Sequence, residues 1–241
     1  MTVGIYGLGR FGSFWATQLS KRFTVVAATR SATRETPPGV RRVELAELGA
    51  ADAVFLCVAI SALEPAVAQL LPHLARGTTV LDTCSVKRFP VETMLRLIPE
   101  DIEVLGTHPM FGPDSARNGV QGLPLILSEA RSSRVTYRRW RQEFEALGLR
   151  VVEMSADEHD HEAAYTQGVT HVIGRVLKEL DLTESRIGTL GYQKILEVIE
   201  QTCNDPYQLF LDLQRFNPYT AEMRDKLIQS VSKVVHDLSE S

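Results

Sequence analysis

The sequence predicts an α/β protein with an N-terminal Rossmann-type, doubly wound, mostly parallel sheet and an all-helical second domain. Three observations carry that prediction. Short apolar runs alternate with helical periods over residues 1–155. Gly7-Leu8-Gly9-Arg10-Phe11-Gly12 matches G-x-G-x-x-G between the first run and the first helix. After Met154 every periodic segment is helical.

Thr2 to Tyr6 is the first strand, and Arg10 to Arg22 has a helical period. Phe23 to Thr29, rich in Val and Ala, is the second strand. Arg30 to Arg41 is polar and holds Pro37, Pro38 and Gly39, so it is expected to be a loop. Ala53 to Val58 is the continuous apolar run of a buried parallel strand. Ser61 to Leu74 is helical and ends before Gly77; Thr78 to Leu81 is a strand, and a helix surrounds Val91 to Leu97. Ile102 to Leu105, Pro124 to Leu127 and Arg150 to Glu153 are further strands, with a helix from Arg134 to Leu147. Ala156 to Leu180, Leu190 to Thr202, Tyr207 to Leu213 and Tyr219 to Leu238 are helical. The expected domains are therefore 1–155 and 156–241. The second is thin for an independent core, so it is expected to pack against the first or against a second subunit.

With 241 residues, 44% hydrophobic and 23% charged, the chain can bury a full core. A net charge of -4 argues against a general nucleic-acid partner. The basic runs Arg131-Ser-Ser-Arg134 and Arg138-Arg139-Trp-Arg141 are expected to be a solvated helix face. Cys57, Cys84 and Cys203 are too scattered for a disulfide framework or a zinc site, which suits a reducing compartment. No 18-residue apolar run is present, so no membrane helix is expected. The first strand begins at about Thr2, leaving no room for a targeting peptide. The expected location is cytoplasmic, or organellar if such a peptide was removed.

The glycines have separate physical tasks. Gly7 makes the turn, Gly9 lets the backbone approach a pyrophosphate, and Gly12 lets helix pack on strand. Leu8, Arg10 and Phe11 share this turn, and Val58 and Ala59 end the Ala53–Val58 strand at the same expected sheet edge. An NAD site places an acid after the second strand. Here stand Thr29, Arg30 and Ser31, then Arg34, with no acid before Glu35. A guanidinium and hydroxyls suit a 2′-phosphate, so NADP is the expected cofactor.

Leu81-Asp82-Thr-Cys-Ser-Val-Lys87 follows a parallel strand, which sets Ser85 and Lys87 at the ligand-binding edge. His108 follows the next strand, in a segment framed by Gly106, Pro109, Gly112 and Pro113 and expected to be a rigid loop. An imidazole and a hydroxyl beside a nicotinamide make a hydride-transfer site: the imidazole takes the proton of a substrate alcohol. Ser85 suits a helix N-cap equally well, and the two roles are compatible.

Asp82-Thr-Cys-Ser-Val-Lys87, Thr107-His-Pro-Met-Phe-Gly-Pro-Asp-Ser115 and Glu158-His-Asp160 together resemble the TyrA family of prephenate/arogenate dehydrogenases. The stretch Glu153–Arg175, Thr29-Arg30-Ser31 and Arg215-Phe216 are similar to its plant-type, NADP-using branch. The resemblance covers nearly the whole chain. It implies oxidative decarboxylation of a cyclohexadienol, with His108 as base and Ser85 bonding the same hydroxyl or orienting the ring. Aromatisation of the product makes such a reaction effectively irreversible.

The resemblance also implies that Gln167 and His171, one helical turn apart, face the substrate. His159 and Asp160 are expected to cap that helix instead. No metal site is expected of His159, Asp160 and His161, because successive helix positions point apart. Bacterial members carry a carboxylate-binding arginine where this chain has Glu200, so Lys87, Arg117, Arg175, Lys194 and Arg215 become candidates for that task. Arogenate-specific plant members hold an acid where this chain has Asn118, which cannot pair with an ammonium. The expected substrate is therefore prephenate, with arogenate the alternative. A homodimer through the helical domain is a further implication, and Leu209, Phe210, Leu213 and Phe216 fit it or an ordinary core. Other readings are a different small-substrate NADP dehydrogenase on this scaffold and an idle cofactor-binding regulator.

Overall fold

A computed structural model describes residues 1–240, which form two compact units divided after His159. The first contains strands β1 (Thr2–Tyr6), β2 (Thr24–Ala28), β3 (Val40–Arg42), β4 (Ala53–Leu56), β5 (Thr79–Asp82), β6 (Glu103–Pro109), β7 (Pro124–Arg131) and β8 (Arg150–Glu153). They form one eight-stranded sheet in the order β3-β2-β1-β4-β5-β6-β7-β8. Every neighbouring pair is parallel except β6 and β7. The order reverses between β1 and β4, which is where such sheets open a crevice for ligands.

Helices α1 (Arg10–Leu19), α2 (Leu45–Gly49), α3 (Leu63–Leu70), α4 (Arg88–Leu97) and α5 (Arg134–Ala146) link the strands. α1 turns Trp15, Ala16 and Leu19 inward, and α5 turns Trp140 and Phe144 inward. These aromatics close over Phe55 of β4, with Trp15 at 5.9 Å and Trp140 at 5.2 Å between ring centroids. Each fully buried ring of this kind stabilises by about 1.5–3 kcal/mol. α5 is capped at Ser133, whose hydroxyl accepts from the Thr136 amide at 3.2 Å.

Three local differences from the sequence expectation have physical reasons. The polar stretch expected as a loop ends in β3, an edge strand with Arg41 and Arg42 exposed, so no apolar run marked it. α2 has five residues, too few to display a period. The strand expected at Ile102–Leu105 continues through Pro109, so His108 lies in a strand and not in a loop. Gly106 serves packing here: a Cβ on it would sit 3.0 Å from Val91 and 3.2 Å from Ser128.

The second unit continues α6 (Ala156–Ala163) into a π-helical turn (Ala164–Gly168), α7 (Val169–Lys178), α8 (Leu190–Cys203), α9 (Tyr207–Phe216) and α10 (Thr220–Ser239). The single helix expected from Ala156 to Leu180 is thus interrupted. The division falls inside α6, a turn later than the expected boundary at Ser155. α7 and α8 touch closely at Gly174, where a Cβ would meet the Thr202 hydroxyl at 2.1 Å. Leu213 and Met223 are buried, whereas Ile228, Val231, Val235 and Leu238 form an exposed row along α10. Among the described residues no helix is long and apolar enough to cross a membrane.

Candidate active site

The turn after β1 is built by backbone proximity. Gly7 has φ +108°, and a Cβ there would lie 2.4 Å from the Cys57 carbonyl. A Cβ on Gly12 would lie 1.9 Å from the Gly7 carbonyl, so only glycine lets α1 start this close. Gly9 has open space where its Cβ would point, which is the approach a pyrophosphate needs. Gly7, Leu8, Gly9, Thr29, Arg30, Ser31, Arg34, Val58 and Ala59 line one cleft at this edge. No carboxylate lines that cleft among the described residues. The donors and the glycine cradle fit a dinucleotide, and Arg30 and Arg34 put two cations on the same cleft.

Two residues of the glycine motif do other work. Arg10 is exposed and forms an ion pair with Asp114, in the segment after β6. Phe11 stacks on Trp15 at 6.0 Å and packs against the core, away from the cleft lining. Arg42 was not foreseen. It donates to the carbonyls of Ser31 (2.8 Å), Arg34 (3.2 Å) and Ala32 (3.3 Å), pinning the loop that carries the cleft cations.

β5 and β6 run parallel, so the segments past Asp82 and Gly106 lie at the same edge. His108 is 3% exposed, and its Nδ1 lies 2.8 Å from Nε2 of the equally buried His159. Burial, then His159, then Lys87 push the His108 pKa well below the usual imidazole value. The ring is therefore neutral at pH 7, the form a general base requires. Ser85 is half-buried in the turn after β5. It does not cap α4, whose N-cap position is Lys87.

Lys87 itself is fully buried, which removes it from the substrate-binding set. Its ammonium pairs with Asp82 and donates to the Thr107 carbonyl at 2.5 Å. Asp82 also accepts from the amides of Cys84 (2.9 Å) and Thr107 (3.1 Å). This network ties the end of β5 to β6 at Thr107, the residue before His108.

The cap of α6 is a box formed by Ser155 and Glu158, not His159 and Asp160. The S-x-x-E spacing is present in the sequence, and His159 pairs with His108 instead. In the helical unit Gln167 is half-buried in the π turn and His171 is buried on α7. Gln167 Oε1, His171 Nδ1 and Arg175 Nε are buried without a hydrogen-bond partner. Burial, then Arg175, lowers the His171 pKa to about 4. Arg215 and Asn118 are both exposed. No group of His, Cys, Asp and Glu able to hold a metal occurs among the described residues.

A glycine cradle at the switch point of a Rossmann-type sheet, with a buried imidazole at the same sheet edge, is an arrangement that fits a dinucleotide. The model of the prephenate dehydrogenase nucleotide-binding domain matches residues 24–134, and that of the TYRAAT1-like C-terminal domain matches residues 176–241. Arogenate dehydrogenase 2, chloroplastic, of Arabidopsis thaliana is 36% identical over 78% of this chain and 54% of its own length. Arogenate dehydrogenase 1, chloroplastic, of the same plant is 33% identical over 94% of this chain and 37% of its own length. The chain thus spans between 37% and 54% of these two relatives. The crystal structure of prephenate dehydrogenase from A. aeolicus with hydroxyphenyl propionate and NAD+ shares the fold, with TM-score 0.72 and 17% identity. That similarity covers 100% of this chain and 92% of the other. Residues 24–134 thus match the nucleotide-binding domain of prephenate dehydrogenases, and the chain is similar over most of its length to two arogenate dehydrogenases.

Proposed function

We propose that the chain catalyses NADP-dependent oxidative decarboxylation of prephenate or arogenate, a step of tyrosine biosynthesis. The observation that carries this reading is the buried His108–His159 pair, with His108 neutral and held at 2.8 Å. His108 takes the proton of the substrate C4 hydroxyl through Nε2. Ser85 donates to or accepts from the same hydroxyl. NADP held in this cleft would supply the acceptor for the C4 hydride; loss of the ring carboxylate as carbon dioxide leaves the ring aromatic. Arg30, Ser31 and Arg34 hold the 2′-phosphate, and Arg42 holds their loop in place.

Asn118 supports prephenate, since an amide leaves an ammonium unpaired. The two plant relatives, both named arogenate dehydrogenases, support arogenate. They are also named chloroplastic, which favours an organellar form over a cytoplasmic one. The exposed row on α10 supports a homodimer, checked by light scattering. Steady-state rates with prephenate and with arogenate, each with NADP and NAD, test the proposal. Turnover of either acid with NADP supports the reaction, and the ratio names the substrate. No turnover of either would return the chain to the other dehydrogenase classes.

A further inference from the structure

We infer that Gln69, its amide oriented by Tyr6, reads the base of the dinucleotide and selects adenine; this rests on the reading that the cleft holds a nicotinamide dinucleotide. The cleft has two unlike walls. Thr29, Arg30, Ser31 and Arg34 form the wall on the β2 side, which carries the cations. Ala62, Pro65, Ala66 and Gln69 form the other, at the start of α3 and along it. Ala62, Ala66 and Gln69 are spaced four and three residues apart, so they share one helical face. The small apolar side chains leave room for a flat ring, and of these four only Gln69 can form a side-chain hydrogen bond. Phosphates belong at the glycine turn and at the cations, which leaves the base to the α3 wall.

Tyr6 ends β1, is 3% exposed and also lines the cleft. Its hydroxyl donates to Gln69 Oε1 at 2.8 Å. Burial holds the phenol above its ordinary pKa against the opposing charge of Arg30, so the hydroxyl keeps the proton it donates. That bond fixes which way round the amide lies. Turning the amide over would present Nε2, a donor, and leave the Tyr6 proton without its acceptor. In the fixed orientation Oε1 keeps a second lone pair and Nε2 keeps two protons. One acceptor beside one donor is the complement of the adenine edge that carries N6–H₂ and N7. Hypoxanthine has an oxygen in place of that amine, so Oε1 would face a second acceptor.

Calorimetry with NADP and with nicotinamide hypoxanthine dinucleotide phosphate tests this on the whole protein. The native protein should bind NADP at least about fivefold more tightly than the hypoxanthine analogue. Gln69→Leu should bring the two affinities within about twofold of each other by weakening NADP. Gln69 is exposed, so its replacement leaves the core intact. Tyr6→Phe frees the amide to turn, and it should narrow the ratio mainly by tightening the analogue. Equal native affinities, or a Gln69→Leu protein that keeps the native ratio, would overturn the inference. A Tyr6→Phe protein that weakens both dinucleotides alike would reduce Tyr6 to a structural role and overturn its part. If the native protein bound neither dinucleotide, the cofactor reading itself would fall. Binding of both without preference would keep that reading and remove only the base selection.

Discussion

His108 Nδ1 and His159 Nε2 lie 2.8 Å apart, so the two buried imidazoles share one proton between them. For His108 to act through Nε2, that proton must sit on its own Nδ1, with His159 accepting. His159 is thus a positioning residue that selects the tautomer. His159→Leu should lower kcat by about ten- to hundredfold with KM little changed, and His159→Gln should recover part of the loss. His108→Asn should cost about a hundred- to ten-thousandfold in kcat. Equal kcat in His159→Leu and the native protein would remove His159 from this role.

The depressed His108 pKa sets the pH profile of the reaction. A base already neutral at the ordinary imidazole pKa has nothing to lose between pH 8 and about pH 6.5. kcat/KM should therefore stay flat over that range and fall only at lower pH. A fall centred near about pH 6.5 would mean that the titrating base is not this buried ring.

Stability should follow the same groups. A histidine whose folded pKa lies below its unfolded value gives full stability above the unfolded pKa and loses it as pH falls through the folded one. For His171 that window runs from 6.5 down to about 4. Between pH 7 and pH 5 the native protein should lose about 2 kcal/mol more than His171→Asn, read from urea midpoints at each pH. Identical losses would show that His171 is not buried neutral in solution.

The Asp82–Lys87 pair is fully buried and shares its bonds with backbone amides and a carbonyl. Removing one partner leaves a buried charge alone. Lys87→Met should destabilise by about 3–5 kcal/mol, and the double change Asp82→Asn with Lys87→Met should cost less than the two singles added together. Strict additivity in denaturant titrations would argue against a coupled pair.

Cofactor choice should depend on Arg30 and Arg34 directly and on Arg42 through the loop. Arg34→Ala should raise the KM for NADP by about tenfold and leave that for NAD unchanged, as expected for a lost charge-assisted contact. Arg42→Ala should act in the same direction through the freed carbonyls of Ser31 and Arg34. An equal effect on both cofactors would place these residues away from the 2′-phosphate.

The strands at the sheet centre were legible because burial on both faces demands continuous apolar runs, as in Ala53–Leu56. The glycine turn was legible because its spacing answers a close backbone approach that no other residue allows. What escaped was set by tertiary contact. β3 carries two exposed arginines and borrows its strand geometry from β2. The glycines and prolines around His108 suggest a loop, yet Gly106 is needed for space against Val91. Lys87 looked like an available cation, since the sequence does not reveal that Asp82 and Thr107 enclose it. The cap expected of His159 and Asp160 belongs to Ser155 and Glu158, whose S-x-x-E spacing is visible in the sequence.

The π turn at Ala164–Gly168 gives α7 a phase that an unbroken α-helix would not have. Each residue of an α-helix advances the face by about 100°. Deleting one residue of this turn would let the helix run straight and carry His171 and Arg175 about a quarter-turn around its axis. The helix content would survive, but Gly174 would turn away from Thr202 and a larger side chain would meet α8 in its place, lowering the thermal transition. One inserted residue thus acts as a rotational setting for the face that α7 presents to α8.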